Sequence, residues 1–259
     1  MDLMLDGKVA LVSGASRGIG SSIARTLLSE GCNVIIGGRN SENLLKTCQE
    51  LKVDVQEGRQ ILSFQGDLTQ TGVPEKFISF ASENFRSLDI LINNVGGSIP
   101  GGIEETSDKN WEDAFHLNLY QAVKCSRLAI CEMKKVQSGS ILNVASIYGR
   151  ESKGSMTYNA SKAALISFSK ALAFETAEYD IRVNCIAPGS VIFKGGGWEK
   201  KVLSSDDGLK DFIESDLPLN RFGRPEEIAT VAAFMVSPKA SLVHGACWNV
   251  DGCQSHSNI

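Results

Sequence analysis

Short runs of β-branched and other apolar residues alternate along this chain with longer segments in which apolar residues recur every three or four positions, as at Ile23, Leu27 and Leu28. The short runs predict buried strands, and the longer segments predict helices that pack one apolar face against a sheet. The predicted strands fall at 9–12, 34–36, 61–64, 90–92, 141–144, 183–186 and 248–250. Strands that alternate with helices in this way predict a doubly wound α/β (Rossmann) fold with a seven-stranded parallel sheet.

No internal repeat, low-complexity tract or Pro/Ser-rich linker offers a place for a domain boundary, so we expect one domain over residues 1–259. The segment 189–223 departs from the alternation, because it follows a predicted strand and contains Gly195, Gly196 and Gly197. Long excursions after the carboxyl end of a strand are where such sheets bind ligands. We interpret this segment as a substrate loop, and a surface loop without a role is the alternative.

Composition narrows the choice of partners. Hydrophobic residues make up 42% of the chain and charged residues 22%, an ordinary globular mixture. The formal charge of -4, without any block of lysine or arginine, argues against nucleic acid or an anionic membrane as the main ligand. Asp2 stands where a secretory signal would carry cations, and Thr230 interrupts the apolar stretch 228–236. We therefore expect a cytoplasmic protein.

The cysteines and histidines do not suggest a metal site. Cysteines stand at positions 32, 48, 125, 131, 185, 247 and 253, and no two have the spacing that clamps a metal ion or a redox disulfide. His116, His244 and His256 form no cluster in the sequence. We expect reduced, mostly buried thiols and no metal ion.

A glycine-rich turn, Ser13 to Gly20, directly follows the first predicted strand and precedes a helical pattern. Glycine is needed where a backbone turns tightly, approaches a phosphate or packs a helix on a strand, and Gly14, Gly18 and Gly20 can fill these three roles. The amides around Ser16 and Ile19 and the positive end of the helix would then bind phosphates. The turn predicts a dinucleotide site, with a purely structural glycine turn as the alternative.

The end of the second predicted strand points to the kind of dinucleotide. A carboxylate there would bind the adenosine ribose hydroxyls and repel a 2′-phosphate, but the sequence has Gly37, Gly38 and Arg39 instead. Arg39 and Arg17 can both reach the region of a 2′-phosphate with charge-assisted hydrogen bonds. These residues predict NADP(H), and two solvated arginines beside an NAD site are the alternative.

Tyr158 and Lys162 are one turn apart at the start of a predicted helix and share a face. An ammonium there would stabilise a phenolate and lower the pKa of Tyr158, as a general acid or base requires. Ser146 follows the fifth predicted strand, at the edge where ligands bind. Asn118 lies between two leucines in a predicted helix, where a buried amide either joins the reactive site or caps a kink of the backbone.

The spacing Gly-x-x-x-Gly-x-Gly resembles the short-chain dehydrogenase/reductase family, and the resemblance extends along nearly the whole chain. Similar to that family are Gly66-Asp67-Leu68 after the third strand, Asn93-Asn94-Val95-Gly96 after the fourth, and Pro188-Gly189 after the sixth. The family's fold matches the one predicted from the alternating pattern. Its members transfer a hydride between nicotinamide and a carbonyl or alcohol carbon.

The resemblance also implies roles for individual residues. The catalytic tetrad would comprise Asn118, Ser146, Tyr158 and Lys162. The resemblance implies that Ser146 orients the substrate oxygen and that Tyr158 transfers the proton. It also implies that Lys162 binds the nicotinamide ribose and that Asn118 positions a water molecule, which returns a proton to the lysine. The coenzyme would be lined by Asp67 and Leu68 at the adenine, Asn93 and Gly96 at the ribose, and Pro188, Gly189 and Val191 at the carboxamide. A homotetramer is also implied, with interfaces at the helices around Asn118 and Lys170 and at the last strand.

Two features bear on the substrate. Phe193 stands where many relatives place a threonine that holds the carboxamide of the coenzyme. Together with Trp198 and Phe212, Phe193 indicates either a partly apolar substrate pocket or packing in the core. Lys134 and Lys135 would suit an acidic carrier protein, but Gln137 and the stretch 178–180 stand where 3-oxoacyl-[acyl-carrier-protein] reductases usually show arginines. We therefore expect a small-molecule carbonyl or alcohol first, the carrier-bound substrate second, and a non-catalytic NADPH-binding sensor third.

Overall fold

A computed structural model describes residues 1–85, 87–204 and 208–258. Seven parallel strands form one sheet in the order β3-β2-β1-β4-β5-β6-β7, with helices on both faces. The strands are β1 (Val9–Val12), β2 (Asn33–Gly38), β3 (Ile61–Gln65), β4 (Ile90–Asn93), β5 (Gly139–Val144), β6 (Ile181–Pro188) and β7 (Cys247–Val250). The predicted doubly wound fold and parallel sheet are confirmed.

Helices connect the strands as crossovers. Those in the described ranges are α1 (Gly18–Ser29), α2 (Ser41–Leu51), α3 (Val73–Phe85), α4 (Asp108–Phe115), α5 (Gln121–Val136), α6 (Met156–Thr176), α7 (Gly197–Leu203), α8 (Gly208–Asp216) and α9 (Pro225–Val236). A π-helical segment, His116–Tyr120, joins α4 to α5. Short 3₁₀ turns lie at Lys52–Asp54, Ile147–Gly149, Ala177–Tyr179 and Pro238–Ala240. In the described part of the chain, none of the helices is both long and apolar enough to cross a lipid bilayer.

The core has one layer on each face of the sheet, because successive side chains of a strand point to opposite faces. Val12 packs in the layer that contains α1 and α9, represented by Leu27 and Ile228. Leu11, its neighbour in the sequence, packs in the opposite layer against helices such as α3, represented by Phe77. The sheet is therefore covered on both sides, which explains why its strands read as nearly continuous apolar runs.

The order of the strands determines where a ligand can bind. The chain runs outward from β1 to β2 and β3, and then returns to β4 on the other side of β1. The loops that follow β1 and β4 therefore separate and leave a crevice at the carboxyl edge of the sheet. The excursion after β6 returns to the same edge, where Val191 forms a parallel bridge with Gly223. The helices α7 and α8 lie within this excursion.

Candidate active site

The glycine turn forms one wall of the crevice and leads into α1. Gly14 and Gly18 adopt the left-handed conformation, with φ of +62° and +60°, which side chains other than glycine rarely tolerate. A Cβ on Gly20 would stand 2.5 Å from the Nδ2 atom of Asn94 and 2.6 Å from the carbonyl oxygen of Gly14. All three glycines are thus required by the backbone. The turn and the first amides of α1 fit the phosphates of a dinucleotide.

Asn94 and Ser13 support this turn, although sequence reasoning gave neither a role. The Nδ2 atom of Asn94 donates to the carbonyl oxygens of Ser13 at 3.1 Å and Gly14 at 3.0 Å. The Ser13 hydroxyl accepts from the backbone amide of Asn94 at 2.9 Å. The second residue of the Asn-Asn-Val-Gly stretch therefore ties the loop after β4 to the loop after β1. In the sequence, the signal for this supporting role of Asn94 was the position of the Asn-Asn-Val-Gly stretch directly after a predicted strand.

At the side of the crevice next to β2, Arg39 follows the strand with its side chain 71% exposed. Its Nη1 atom lies 3.7 Å from Oδ2 of Asp67, whose other oxygen accepts from the amide and hydroxyl of Thr69. Ser16 lies beside Gly38, since a Cβ on that glycine would be 3.4 Å from the Cβ of Ser16. The predicted residues Ser16, Arg39 and Asp67 thus border the end of β2, and Leu68 is buried beneath them.

Arg17 has a different environment from Arg39. Its Nη1 atom donates to the carbonyl oxygen of Gly195 at 2.9 Å, which ties the glycine turn to the excursion after β6. The ring of Phe193 covers Gly18 so closely that a Cβ there would stand 2.6 Å from the ring. Phe193 also packs against the core layer on the α1 side. The excursion therefore closes over the glycine turn through one aromatic contact and one hydrogen bond.

Lys162 is the most deeply buried charged group of the candidate site, with 2% of the residue exposed. Its Nζ atom donates to the carbonyl oxygen of Val144, at the end of β5, at 2.7 Å. Burial lowers the pKa of Lys162 from 10.5 to about 8, because a cation loses hydration in the interior. A Cβ added to Gly96 would stand 2.9 Å from this Nζ atom and 2.9 Å from Oδ1 of Asn118. The glycine after β4 thus lets a lysine and an amide converge.

Asn118 lies within the π-helical segment and is fully buried. Its Oδ1 atom accepts from the backbone amide of Gly97 at 3.0 Å, and its Nδ2 atom donates to the carbonyl oxygens of Gly97 at 2.9 Å and Ala114 at 3.0 Å. The amide therefore bonds to the helix irregularity and also fixes the loop that carries Gly96. The sequence left two interpretations of Asn118: a cap on a kink of the backbone, and a part of the reactive site. The hydrogen bond to Ala114 agrees with the first, and the approach to Gly96 agrees with the second. A π segment widens one turn of a helix and is frequent at functional sites.

Ser146 and Tyr158 lie on the two sides of the short turn that follows β5. The Ser146 hydroxyl accepts from the amide of Tyr148 at 3.1 Å and caps the 3₁₀ turn. Tyr158 lies in the first turn of α6 and is half-buried. Burial raises the pKa of its phenol, and a hydrogen bond with Ser146 lowers it by a smaller amount. The two groups proposed to face the substrate oxygen are therefore close enough for one to influence the pKa of the other.

The expected lowering of the Tyr158 pKa was wrong for this structure. The Nζ atom of Lys162 is 5.6 Å from the centre of the phenol ring, and it donates to Val144 instead. An ammonium that is itself deeply buried and directed at a carbonyl oxygen does not offset the desolvation of the phenol. Tyr158 is thus a protonated acid at neutral pH.

The remaining predicted residues lie along the same edge. The side chain of Asn93 points inward, where Nδ2 donates to Ser126 at 3.0 Å and Asn143 at 2.8 Å, so only its backbone faces the crevice. Pro188 ends β6, and Gly189 follows it. The next residue, Ser190, is held by Gln254, whose Oε1 atom accepts from its amide at 2.7 Å. The C-terminal segment thus fixes the loop that includes Val191, which sequence reasoning did not anticipate.

Comparison with known proteins agrees with this geometry. The family model described as short chain dehydrogenase matches residues 8–194. A 3-oxoacyl-[acyl-carrier-protein] reductase of Chlamydia trachomatis is 36% identical over 253 residues, which are 97% of this chain and 99% of that protein.

Among solved structures, L-sorbose reductase from Gluconobacter frateurii, complexed with NADPH and L-sorbose, has a TM-score of 0.92 and 31% identity and covers 99% of this chain and 100% of its own. A 7 alpha-hydroxysteroid dehydrogenase complexed with NADH has a TM-score of 0.88 and 31% identity, with 97% and 96% of the two chains covered. The family binds a nicotinamide coenzyme and interconverts CH-OH and C=O groups. With its fold, glycine turn and matched sequence in agreement, the chain belongs to the short-chain dehydrogenase family.

Proposed function

We propose that this protein is an NADP-dependent oxidoreductase that reduces the carbonyl group of a free small molecule, or oxidises the corresponding secondary alcohol. The observation that carries the proposal is the convergence of the Lys162 ammonium and the Asn118 amide on Gly96. Ser146 and Tyr158 lie at the same edge of the sheet, where Ser146 affects the pKa of the phenol. A buried cation and a protonated phenol at one sheet edge suit proton transfer to a substrate oxygen. A non-catalytic coenzyme sensor would have no need for this constellation.

Each group has a defined task in reduction. The Ser146 hydroxyl donates a hydrogen bond to the carbonyl oxygen and stabilises the negative charge that develops on it. Tyr158, protonated at neutral pH because burial raises its pKa, donates the proton. Lys162 holds positive charge behind the phenol, and Asn118 fixes the loop that carries Gly96. In the opposite direction the same phenol accepts the proton of an alcohol.

The coenzyme would occupy the crevice between the loops after β1 and β4. The glycine turn would hold its phosphates, and Asp67, Gly96, Pro188 and Gly189 would line its two ends. NADP(H), when bound, supplies or accepts the hydride. Arg39 supports NADP over NAD, because its guanidinium is exposed at the end of β2 with only a 3.7 Å contact to Asp67. No carboxylate follows β2 to repel a 2′-phosphate.

The activity is tested by mixing the protein with NADPH and a panel of ketones, aldehydes, keto sugars and acetoacetyl thioesters while nicotinamide absorbance is followed. Tyr158→Phe is expected to abolish turnover and leave NADPH binding nearly intact. Tyr120→Phe, which removes the hydroxyl of a tyrosine 44% exposed, is the matched control. Retained turnover in Tyr158→Phe would refute the role of the phenol, and NADPH binding without turnover of any substrate would favour a sensor.

The coenzyme preference is tested with Arg39→Asp. This variant is expected to raise KM for NADPH far more than KM for NADH, because it replaces a phosphate-binding cation with a repelling carboxylate. Arg127→Asp, on the exposed side of α5, makes the same change of charge and is expected to affect neither coenzyme. Equal effects of Arg39→Asp on both coenzymes would contradict the assignment.

A carrier-bound 3-oxoacyl substrate is the second candidate, because the relative from Chlamydia trachomatis with 36% identity is a 3-oxoacyl-[acyl-carrier-protein] reductase. The basic residues that could meet an acidic carrier are partly engaged: Lys135 pairs with Glu132 at 2.6 Å, and Lys134 lies over the ring of Tyr179 at 3.6 Å. A kcat/KM for the carrier-bound thioester well above that for the free thioester would favour this candidate. Equal values, or a preference for small ketones, would favour the first.

We also propose that the protein is a cytoplasmic homotetramer. Large apolar side chains are exposed on α6 and β7, where Phe174 is 77% and Trp248 37% exposed, and these elements form two of the implied interfaces. Light scattering coupled to gel filtration measures the mass in solution. A monomer of 27.9 kDa would contradict the assembly.

A further inference from the structure

Cys185 and Cys247 face each other across the sheet, behind the candidate active site. Cys185 lies on β6, Cys247 is its paired residue on β7, and β7 is the edge strand. Paired residues on neighbouring strands lie about 4.8 Å apart, within the Cα separation of roughly 4.4–6.8 Å that disulfides span. Both side chains contact the same small apolar cluster, which includes Leu165 of α6. The two side chains thus lie on one face of the sheet, on backbones whose separation a disulfide can span.

The two thiols differ in their access and in their chemistry. Cys185 is fully buried, whereas Cys247 is half-buried. The Cys247 side chain points to the face of the sheet that α6 covers, and not along the edge at which the proposed tetramer would pack. A hydrogen bond from Cys185 lowers the pKa of Cys247, and the nearby guanidinium of Arg150 lowers it further. The same hydrogen bond and burial raise the pKa of Cys185. Arg150 is held in place by a 2.7 Å hydrogen bond from Nη1 to the carbonyl oxygen of Cys247.

This pairing distinguishes Cys247 from the other cysteines of the described chain. Cys32 and Cys125 are buried, and burial raises the pKa of each to about 12. Cys48 is buried as well, and burial raises its pKa. Such thiols are poor first targets for an oxidant, and none of the three is paired with a second cysteine in the sheet. Cys131 and Cys253 are exposed on the surface. Reactive cysteines combine partial access with a cationic neighbour, and those that form reversible disulfides lie beside a second thiol. Cys247 meets all of these conditions.

We propose that Cys247 and Cys185 form a peroxide-reactive site, in which Cys247 is oxidised first and Cys185 resolves it into an intrachain disulfide. In the first step the Cys247 thiolate attacks one oxygen of hydrogen peroxide. A sulfur–oxygen bond forms, the oxygen–oxygen bond breaks, and the departing hydroxide takes a proton to leave as water. In the second step the Cys185 sulfur attacks the sulfur of the sulfenic acid, and the second water leaves with the Cys185 proton. Two thiols and one peroxide thus yield a disulfide and two waters, with two electrons passing from sulfur to oxygen.

The site would couple oxidation to the helix that carries the proposed catalytic groups. Cys185 packs against Leu165 of α6 in the small apolar cluster, and Lys162 lies one turn earlier on the same helix. A disulfide would remove this thiol from its contact with α6 and link the edge strand covalently to β6. The proposal does not depend on the proposed function, because the modification is measured on the cysteines themselves.

The test oxidises the native assembly with hydrogen peroxide, blocks the remaining thiols with N-ethylmaleimide, and maps the peptides by mass spectrometry without reduction. We expect the free-thiol count to fall by two from the seven of the sequence, a linked pair of peptides that contain Cys185 and Cys247, and full recovery with dithiothreitol. In Cys185→Ser, we expect Cys247 to persist as a sulfenic acid that dimedone traps. In Cys247→Ser, we expect Cys185 to remain a thiol.

The exposed cysteines provide the controls. Cys131→Ser and Cys253→Ser are expected to form the Cys185–Cys247 link as readily as the wild type. The proposal is overturned if Cys131 or Cys253 is oxidised while the proposed pair stays reduced. It is also overturned if Cys247 forms a disulfide with Cys247 of a second subunit, which a non-reducing gel shows as a covalent dimer. Mapping of the wild-type protein alone decides the question should a serine variant fail to fold.

Discussion

Replacing Gly96 with alanine tests whether the lysine and the amide act as one arrangement. The added Cβ would stand 2.9 Å from Nζ of Lys162 and 2.9 Å from Oδ1 of Asn118. Ordinary contact begins near ~3.5 Å, so at least one of these groups has to shift by roughly half an ångström. Neither is free to shift, because Lys162 donates to Val144 at 2.7 Å and Asn118 makes two hydrogen bonds to Gly97, of 2.9 and 3.0 Å.

The size of the effect follows from this displacement. A misplacement of ~1 Å costs on the order of 10²-fold in rate, so a shift of half that size is expected to lower kcat by about 10-fold or more. That loss corresponds to roughly 1.4 kcal/mol of transition-state stabilisation. If Asn118 is the group that moves, a buried amide loses a partner, and the free energy of unfolding falls by about 1–3 kcal/mol.

The assay compares kcat, KM and urea unfolding of the wild type, Gly96→Ala and Gly102→Ala, with NADPH and the best substrate of the carbonyl panel. Gly102 is the matched control, because a Cβ there has no heavy atom within 4 Å. We expect Gly102→Ala to match the wild type. A folded Gly96→Ala that keeps the wild-type kcat would refute the idea that this glycine sets the position of the two groups.

Three further predictions concern the coenzyme site and the buried lysine. Asn94→Ala removes two hydrogen bonds to the glycine turn and should weaken NADPH binding in a fluorescence titration while lowering the free energy of unfolding by about 1–3 kcal/mol; unchanged affinity would contradict it. Phe193→Ala uncovers the glycine turn and should speed both association and dissociation of NADPH in stopped-flow measurements, unlike Leu242→Ala at an exposed position; equal rates for both variants would show that the ring is no cover. Lys162 releases its proton near pH 8 in the folded protein but near pH 10.5 when unfolded. Between these pH values the free energy of unfolding of the wild type should therefore rise relative to that of Lys162→Met, by at most about 1.4 kcal/mol per pH unit. A difference between the two proteins that does not change with pH would contradict the buried cation.

The strands could be predicted from the sequence because the sheet is covered on both faces. A residue in such a strand is buried whichever way it points, so the strand reads as an apolar run. The predicted runs were too short at their ends: 183–186 became Ile181–Pro188, and 34–36 became Asn33–Gly38. The added residues include asparagine, glycine and proline, which have little intrinsic preference for strands. These residues belong to the strands because their backbones pair with the neighbouring strands. No local sequence pattern reveals that pairing.

Within the site, positions set by backbone geometry were the most predictable. The glycine turn follows from the need for positive φ and close approach, which a sequence expresses directly as glycine. The shared face of Tyr158 and Lys162 follows from helical spacing. The pKa of the phenol did not follow, because it depends on burial and on where the ammonium points, and Lys162 points at Val144. The π segment around Asn118 was also not foreseen, since its pattern of apolar residues is that of an ordinary helix.

The least predictable contact is the one between Arg17 and Gly195, which are 178 residues apart in the chain. Sequence reasoning gave Arg17 and Arg39 the same task, because both are arginines near the same end of the predicted coenzyme. Their surroundings separate them: one guanidinium is bound to a loop carbonyl, and the other is 71% exposed at the end of β2. Moving to a phosphate would break the 2.9 Å hydrogen bond between Arg17 and Gly195, whereas Arg39 would give up only a 3.7 Å contact with Asp67. The proposed selectivity for NADP therefore depends mainly on Arg39. Arg17 instead connects the glycine turn to the excursion that carries Phe193, so the excursion and the glycine turn form one unit.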